Sequence, residues 1–197
     1  SVPGMGLLLV LDPVVSQAVG ARDANGVARG VQRGVLLAVI VSIPAAIALL
    51  PGELFFAALR QPAEVAPVAA AYARWTALGM LPFFLFVSLR QSLQAMAHTR
   101  AIVASIILGN ALNVVLNWVL IYGHLGAPPL GAVGSAISTV IGRWAMFGML
   151  LWFGRAQLWP KLVPWAPESW KLRPLGRMMI VGLPVAFQQW LEVGVFA

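Results

Sequence analysis

Hydrophobic residues in this chain fall in long unbroken runs, not in the alternation of a strand or the one-sided stripe of a surface helix. Gly34–Gly52 lies uncharged between Arg33 and Glu53, and Trp75–Leu89 lies uncharged between Arg74 and Arg90. Ala101–Gly142 holds no Asp, Glu, Lys or Arg and is too long for one membrane crossing. Pro128-Pro129, bracketed by Gly126 and Gly131, divides it with a strong turn signal. A helix crossing hydrocarbon needs ~20 mostly apolar residues. The runs therefore predict spans at about 2–20, 34–52, 65–89, 101–122, 131–153 and 178–197. Lipid offers no water to unpaired backbone groups, and the alternation of a membrane barrel is missing, so the expected fold class is an all-α integral membrane bundle. Pro44, Pro82 and Pro184 lie inside or near the ends of spans, where each removes a backbone donor and can kink its helix.

Composition agrees. Of 197 residues, 60% are hydrophobic and 10% charged, and none is cysteine. Soluble domains carry about 25% charged residues, so a soluble globule, a disordered chain and a disulfide-stapled module are all excluded. The net charge of +7 does not point to nucleic acid, because the basic residues sit in short gaps between apolar runs. Ten of the thirteen (Arg22, Arg29, Arg33, Arg90, Arg100, Arg155, Lys161, Lys171, Arg173, Arg177) occupy the alternate gaps near 21–33, 90–100 and 154–177. The positive-inside rule puts those gaps on the cytoplasmic side of a plasma membrane. The longest, 154–177, mixes Trp159, Trp165 and Trp170 with basic residues and prolines; it suits a headgroup-level linker between two halves. The chain starts without Met or a basic leader and is still apolar at its last residue, so an internal piece of a longer membrane protein is expected.

Polar groups inside apolar runs carry the chemistry, since each is costly in hydrocarbon without a partner. Glu192 is the sharpest. A helix entering near Met178 rises ~1.5 Å per residue, which sets Glu192 ~21 Å deep. A carboxylate there can bind and release a proton or hold Na⁺ with other oxygens; alternatively it sits wet at the outer interface. Asn110, Asn113 and Asn117 share one helix face by their spacing of three and seven residues. Their amides can ligate a cation, or they can glue helices together. Asp12, in Leu11-Asp12-Pro13, either caps and pairs at a broken helix start or contacts a ligand. Arg143, ~18 Å into its span, faces a cavity, bonds carbonyls or pairs with a carboxylate such as Asp12. Ser135, Ser138 and Thr139, with Gly131 and Gly134, read as a small-residue packing face. His98 and His124 are isolated and receive no role. No phosphate-binding loop or acidic metal cluster is present in the sequence, so an enzyme is not expected.

These residues also carry a family resemblance. Leu11-Asp-Pro-Val-Val-Ser-Gln17-Ala-Val-Gly20-Ala-Arg-Asp resembles the second helix and first cytoplasmic loop of multidrug and toxic compound extrusion (MATE) transporters. Gln61-Pro-Ala-Glu64 with Ala71-Tyr72-Ala-Arg74 is similar to the next connection, and Leu89-Arg90-Gln-Ser-Leu-Gln94 through Arg100 to the following cytoplasmic loop. Asn110-Ala-Leu-Asn113-Val-Val-Leu-Asn117 followed by Gly131-Ala-Val-Gly134-Ser-Ala-Ile-Ser-Thr139 is the most specific stretch; Gly182-Leu-Pro184 through Glu192 resembles the seventh helix. The resemblance implies a two-lobe transporter of six plus six helices. This chain would supply six of them: most of the first lobe (1–153), the inter-lobe linker (154–177) and the first helix of the second lobe (178–197). It implies that Asn113 and Asn117 belong to the first-lobe cation site with Thr139 beside them, and that Glu192 is the acid of the second-lobe site. It implies export of organic cations in exchange for H⁺ or Na⁺ by alternating access, with no cofactor beyond the coupling ion and a monomeric full-length protein. The alternatives are a flippase of the same superfamily that moves a lipid-linked saccharide, with Arg143 lining its cavity, and a non-transporting membrane scaffold.

Overall fold

The computed structural model describes residue 6 and residues 8–50, 66–126, 128–170 and 172–195, all helical or in short connections. Its helices are α1 (Leu11–Gly20), α2 (Ala24–Ile47), α3 (Ala66–Leu78), α4 (Met80–Ala95), α5 (Thr99–Tyr122), α6 (Gly131–Phe153), α7 (Arg155–Leu162) and α8 (Leu172–Val195), with 3₁₀ turns at His124–Gly126 and Pro167–Trp170. No strand occurs among the described residues.

Three of these helices are individually long and apolar enough to cross a membrane: α2, α5 and α6. A fourth crossing is available only if α3 and α4, bent by 41°, count as one broken span. Of the six spans expected from the apolar runs, three, or four with the bent pair, are long and apolar enough to cross among the described residues. The break has a local cause. Pro82 has no N–H to bond the carbonyl of Leu78, so the helical ladder fails one turn before the proline. Gly79 turns back to Thr76 instead (N···O 3.0 Å) and α4 starts afresh at Met80.

The gap expected at 21–33 is mostly helix. Asp23 caps α2, its side chain accepting from the Gly26 amide at 2.8 Å, and the non-helical turn is only Ala21–Asp23. Arg29 and Arg33 therefore sit on the first turns of α2. Charge marks where a helix leaves hydrocarbon, not where it ends. α8 likewise begins at Leu172, inside the expected linker.

Close approach of helices defines the core. At Gly34 on α2, a Cβ would fall 2.7 Å from the Ser88 hydroxyl of α4 and 2.8 Å from a methyl of Leu11 on α1. Only a residue without a side chain lets these three helices meet there. Around the junction lie the fully buried Leu11, Leu37 and Phe84, joined by Met178 of α8. A second cluster of Val31, Leu89, Leu93, Leu150 and Leu158 ties α2, α4, α6 and α7 together. α5 is peripheral: Val103, Ile107, Val114 and Trp118 are exposed.

Candidate functional site

The small-residue face of α6 brings it onto α5. A Cβ on Gly134 would lie 2.5 Å from the Leu120 carbonyl oxygen, and one on Gly142 would lie 3.3 Å from the Asn113 amide nitrogen. Across this seam runs a hydrogen-bonded chain. Asn117 Nδ2 donates to Asn113 Oδ1 at 3.0 Å, and the Ser138 hydroxyl donates to Asn117 Oδ1 in a short contact. Ser138 also reaches its own helix, with Oγ 2.9 Å from the Ser135 carbonyl. Asn113, Asn117 and Thr139 are half-buried and Ser138 is buried. Each amide oxygen accepts one bond and keeps one lone pair unused. Two carbonyl-type oxygens one helical turn apart thus keep spare acceptor capacity.

The other predicted residues separate. Asn110 lies on α5 but is exposed, and it does not enter the chain. Thr139 turns to its own helix, Oγ1 to the Ser135 carbonyl at 2.8 Å. Glu192 lies in the last turn of α8, and its side chain lies outside the described residues. Asp12 is not the cap of α1. The helix starts at Leu11, and Asp12 stands in its first turn, accepting from the Ser16 hydroxyl at 3.4 Å. The residue before, Val10, is a turn that follows helical residues, so the Asp-Pro pair marks a break rather than a fresh start.

Arg143 does not pair with Asp12. Its guanidinium lies over the Phe83 ring, 5.0 Å from the centroid, beside the α3–α4 break; a Cβ on Gly79 would meet Nη1 at 3.1 Å. Nη1 is buried without a hydrogen-bond partner. His124 stacks on Trp118 with ring centroids 4.1 Å apart and bonds the Trp118 carbonyl, which closes the end of α5.

A profile of the MatE family matches residues 1–119. The chain belongs to the MatE family. It is 32% identical over 198 residues to "Multidrug resistance protein NorM" of Vibrio parahaemolyticus, covering 98% of this chain and 43% of that protein. It is 29% identical to "Probable multidrug resistance protein NorM" of Halalkalibacterium halodurans, again over 98% of this chain and 43% of the relative. The chain thus spans less than half the length of these MatE relatives. Among solved structures it is similar to the eukaryotic MATE transporter AtDTX14, with TM-score 0.84 and 21% identity over 97% of this chain and 42% of that one. A MATE in a bent conformation matches with TM-score 0.82 and 21% identity over 99% of this chain and 43% of that one. At these identities the structural likeness concerns the fold. The names are those of multidrug resistance proteins and transporters, not enzymes, and the apolar helices make this a membrane protein.

One further polar residue of consequence lies on α2. Gln32 of α2 is 0% exposed, and both ends of its amide are fully used. Nε2 donates to the carbonyls of Lys161 (2.9 Å) and Pro164 (3.0 Å). Oε1 accepts from the Ala166 amide (3.0 Å) and the Ser169 hydroxyl (2.7 Å). Arg33 adds a bond from Nη2 to the Glu168 carbonyl at 3.1 Å. The signal available was faint: a glutamine in a long helix, and a linker whose Pro164 and Pro167 leave its backbone short of regular partners.

Proposed function

We propose that the intact protein carrying this chain is a multidrug efflux antiporter of the cell's inner membrane. It exports organic cations in exchange for H⁺ or Na⁺ by alternating access, with the turns around 21–33, 90–100 and 154–177 in the cytoplasm. Residues 1–153 and 178–197 then belong to two lobes joined by the 154–177 linker, and the working form is a monomer. The observation that carries the reading is the half-buried Asn113–Asn117–Ser138 chain, held within two helices otherwise apolar enough to span a bilayer. The NorM relatives, named for multidrug resistance, supply the class of substrate.

In this reading Glu192 carries the exchangeable charge and the amides of Asn113 and Asn117 help hold the cation, with Asn110, Thr139 and Asp12 in supporting positions. A desolvated carboxylate binds either a small cation or the cationic drug, so one displaces the other and the two fluxes couple. The test is efflux of a cationic dye from proteoliposomes of the intact protein under an imposed H⁺ or Na⁺ gradient. Glu192→Gln removes the charge at constant shape and should abolish gradient-driven efflux and weaken dye binding, with the melting temperature unchanged. Full driven efflux by that variant rejects the antiporter reading.

Arg143 favours a second reading. Its unpartnered Nη1 beside the α3–α4 break suits an anionic group, as a flippase for a lipid-linked saccharide phosphate needs. Translocation of such a lipid without dye efflux, lost in Arg143→Gln, would move the assignment to that class.

A further inference from the structure

Two turns, at Ala21–Asp23 and Met96–His98, and the short helix α7 meet at one end of the bundle. A cavity of about 470 Å³ opens between them, walled by Ala18, Val19, Val27 and Met96. Its polar lining is Arg22, Asp23, His98, Gln157 and Lys161. Asp23 does not balance the basic groups: one oxygen caps Gly26 and the other pairs with Arg29 at 3.3 Å. Arg22 and Lys161 therefore present uncompensated positive charge over an apolar floor.

The placement of Arg22 is unusual. α1 ends in a Schellman turn, with the Asp23 amide bonded to the Ala18 carbonyl and the Arg22 amide to the Val19 carbonyl. That motif puts its penultimate residue in the left-handed region, where glycine is favoured. Here the residue is Arg22, with φ 55°. The same turn closes α4, with Ala97 at φ 60° beside His98. A side chain held at a position that prefers glycine is a constraint of the kind that gathers at binding sites.

α7 forms the far wall. It is anchored by the buried Leu158 and follows directly on the apolar α6. Ala156 and Pro160 border the basic cavity and also a second, apolar groove of about 650 Å³ lined by Leu151, Trp152 and Trp159. Trp152 and Trp159 are well exposed, and Arg155 sits over the Trp152 ring at 4.7 Å. Exposed tryptophans mixed with cations are the signature of the headgroup layer. α7 is thus a ridge at the membrane surface, with charge on one flank and bare hydrocarbon on the other.

We propose that this cavity binds an anionic phospholipid. The phosphate lies between Arg22 and Lys161, and the first methylenes of its chains lie over Val19, Val27 and Met96. The site is independent of the cation-coupling residues proposed above and stands or falls without them.

The test is lipid retention by the intact, delipidated protein in native mass spectrometry, with phosphatidylglycerol and phosphatidylcholine offered separately. Wild type should prefer phosphatidylglycerol. Each basic side chain near an anionic headgroup is worth about fivefold, so Arg22→Gly with Lys161→Gln should lose about thirtyfold in phosphatidylglycerol affinity and leave phosphatidylcholine unchanged. Arg22→Gly also relieves the left-handed backbone, so that variant should melt at or above the wild-type temperature; loss of lipid by misfolding is thereby distinguished. Lys161→Arg should retain binding. Equal retention of the two lipids by wild type, or an unchanged preference in the double variant, overturns the proposal. So does competition by inorganic phosphate as strong as that by phosphatidylglycerol, since the site would then hold free phosphate and not a lipid.

Discussion

Two polar clusters lie inside this apolar bundle, and they are built in opposite ways. The Gln32 amide is buried and all four of its bonds are made, to residues about 130 positions away in the chain. The Asn113–Asn117–Ser138 chain is shallower, its bonds span one seam between neighbouring helices, and its oxygens keep capacity in reserve. A saturated amide in a closed site has nothing left to offer a ligand, so its role is to hold the linker on α2. An amide pair with free lone pairs is stabilised less and can exchange partners. On the proposed reading, the degree of satisfaction, rather than polarity itself, separates a fastening from a binding site.

The largest effect should come from breaking the fastening. Gln32→Leu keeps the volume but strands two carbonyls, an amide and a hydroxyl, each costing up to ~1–3 kcal/mol where water cannot reach. With partial rehydration the loss should be about 3 kcal/mol in the denaturant midpoint of the intact protein in detergent. Protease cleavage within 161–170 should rise in parallel. An unchanged midpoint would mean that the linker is held by apolar contacts alone.

Gly134→Ala comes next. The new methyl meets a backbone carbonyl of α5, which cannot rotate away, so the helices must part by a fraction of an ångström. Overpacking of this kind costs about 2 kcal/mol. Because the shift occurs one turn from Ser138, transport should fall along with the melting temperature.

The ease of reading each region from sequence follows from how local its causes are. The apolar run 131–153, charged only at Arg143, coincides with α6, and 101–122 with α5 to within two residues, because both helices are bounded by turn residues of their own: Gly123 at φ 77° closes α5. The amide row on α5 was visible by helical spacing alone. The break at Gly79 was not, since Pro82 pointed to a kink but not to where the ladder would fail. The arginines of α2 suggest a later helix start than Ala24, because charge marks the membrane boundary and not the helix end. Asp-Pro favours a cap at Asp12 as one of its two expected roles, yet Leu8 and Leu9 are already helical. Gln32 leaves only a faint signal: its partners are mainly backbone groups of a distant linker, which leave no pattern in side-chain identity.

Asn117→Ala sharpens the comparison from the other side. Hydrogen bonds between membrane helices are worth ~0.6 kcal/mol on average. The variant should therefore lose no more than about 1 kcal/mol, well under the loss for Gln32→Leu. Dye efflux driven by an ion gradient should fall far more than stability does. If both variants lose transport only in proportion to their melting temperatures, the two clusters are fastenings alike.

Gly142→Ala gives the smallest and most selective effect. A Cβ there would sit 3.3 Å from the Asn113 amide nitrogen and 3.5 Å from its Cβ. Such a contact is tight but not a clash, and it removes no hydrogen-bonding group. Stability should change by no more than about 0.5 kcal/mol, because the tight contact is offset by the helix-interior advantage of Ala over Gly, itself about 0.5–1 kcal/mol. The methyl does restrict how far the Asn113 side chain can turn. If Asn113 only bridges helices, that restriction costs nothing and efflux is normal. If its oxygen must swing from Asn117 to a passing cation, the ion concentration for half-maximal efflux rises while the maximal rate is kept. A shift in that concentration at constant melting temperature is the result that a purely structural amide does not produce.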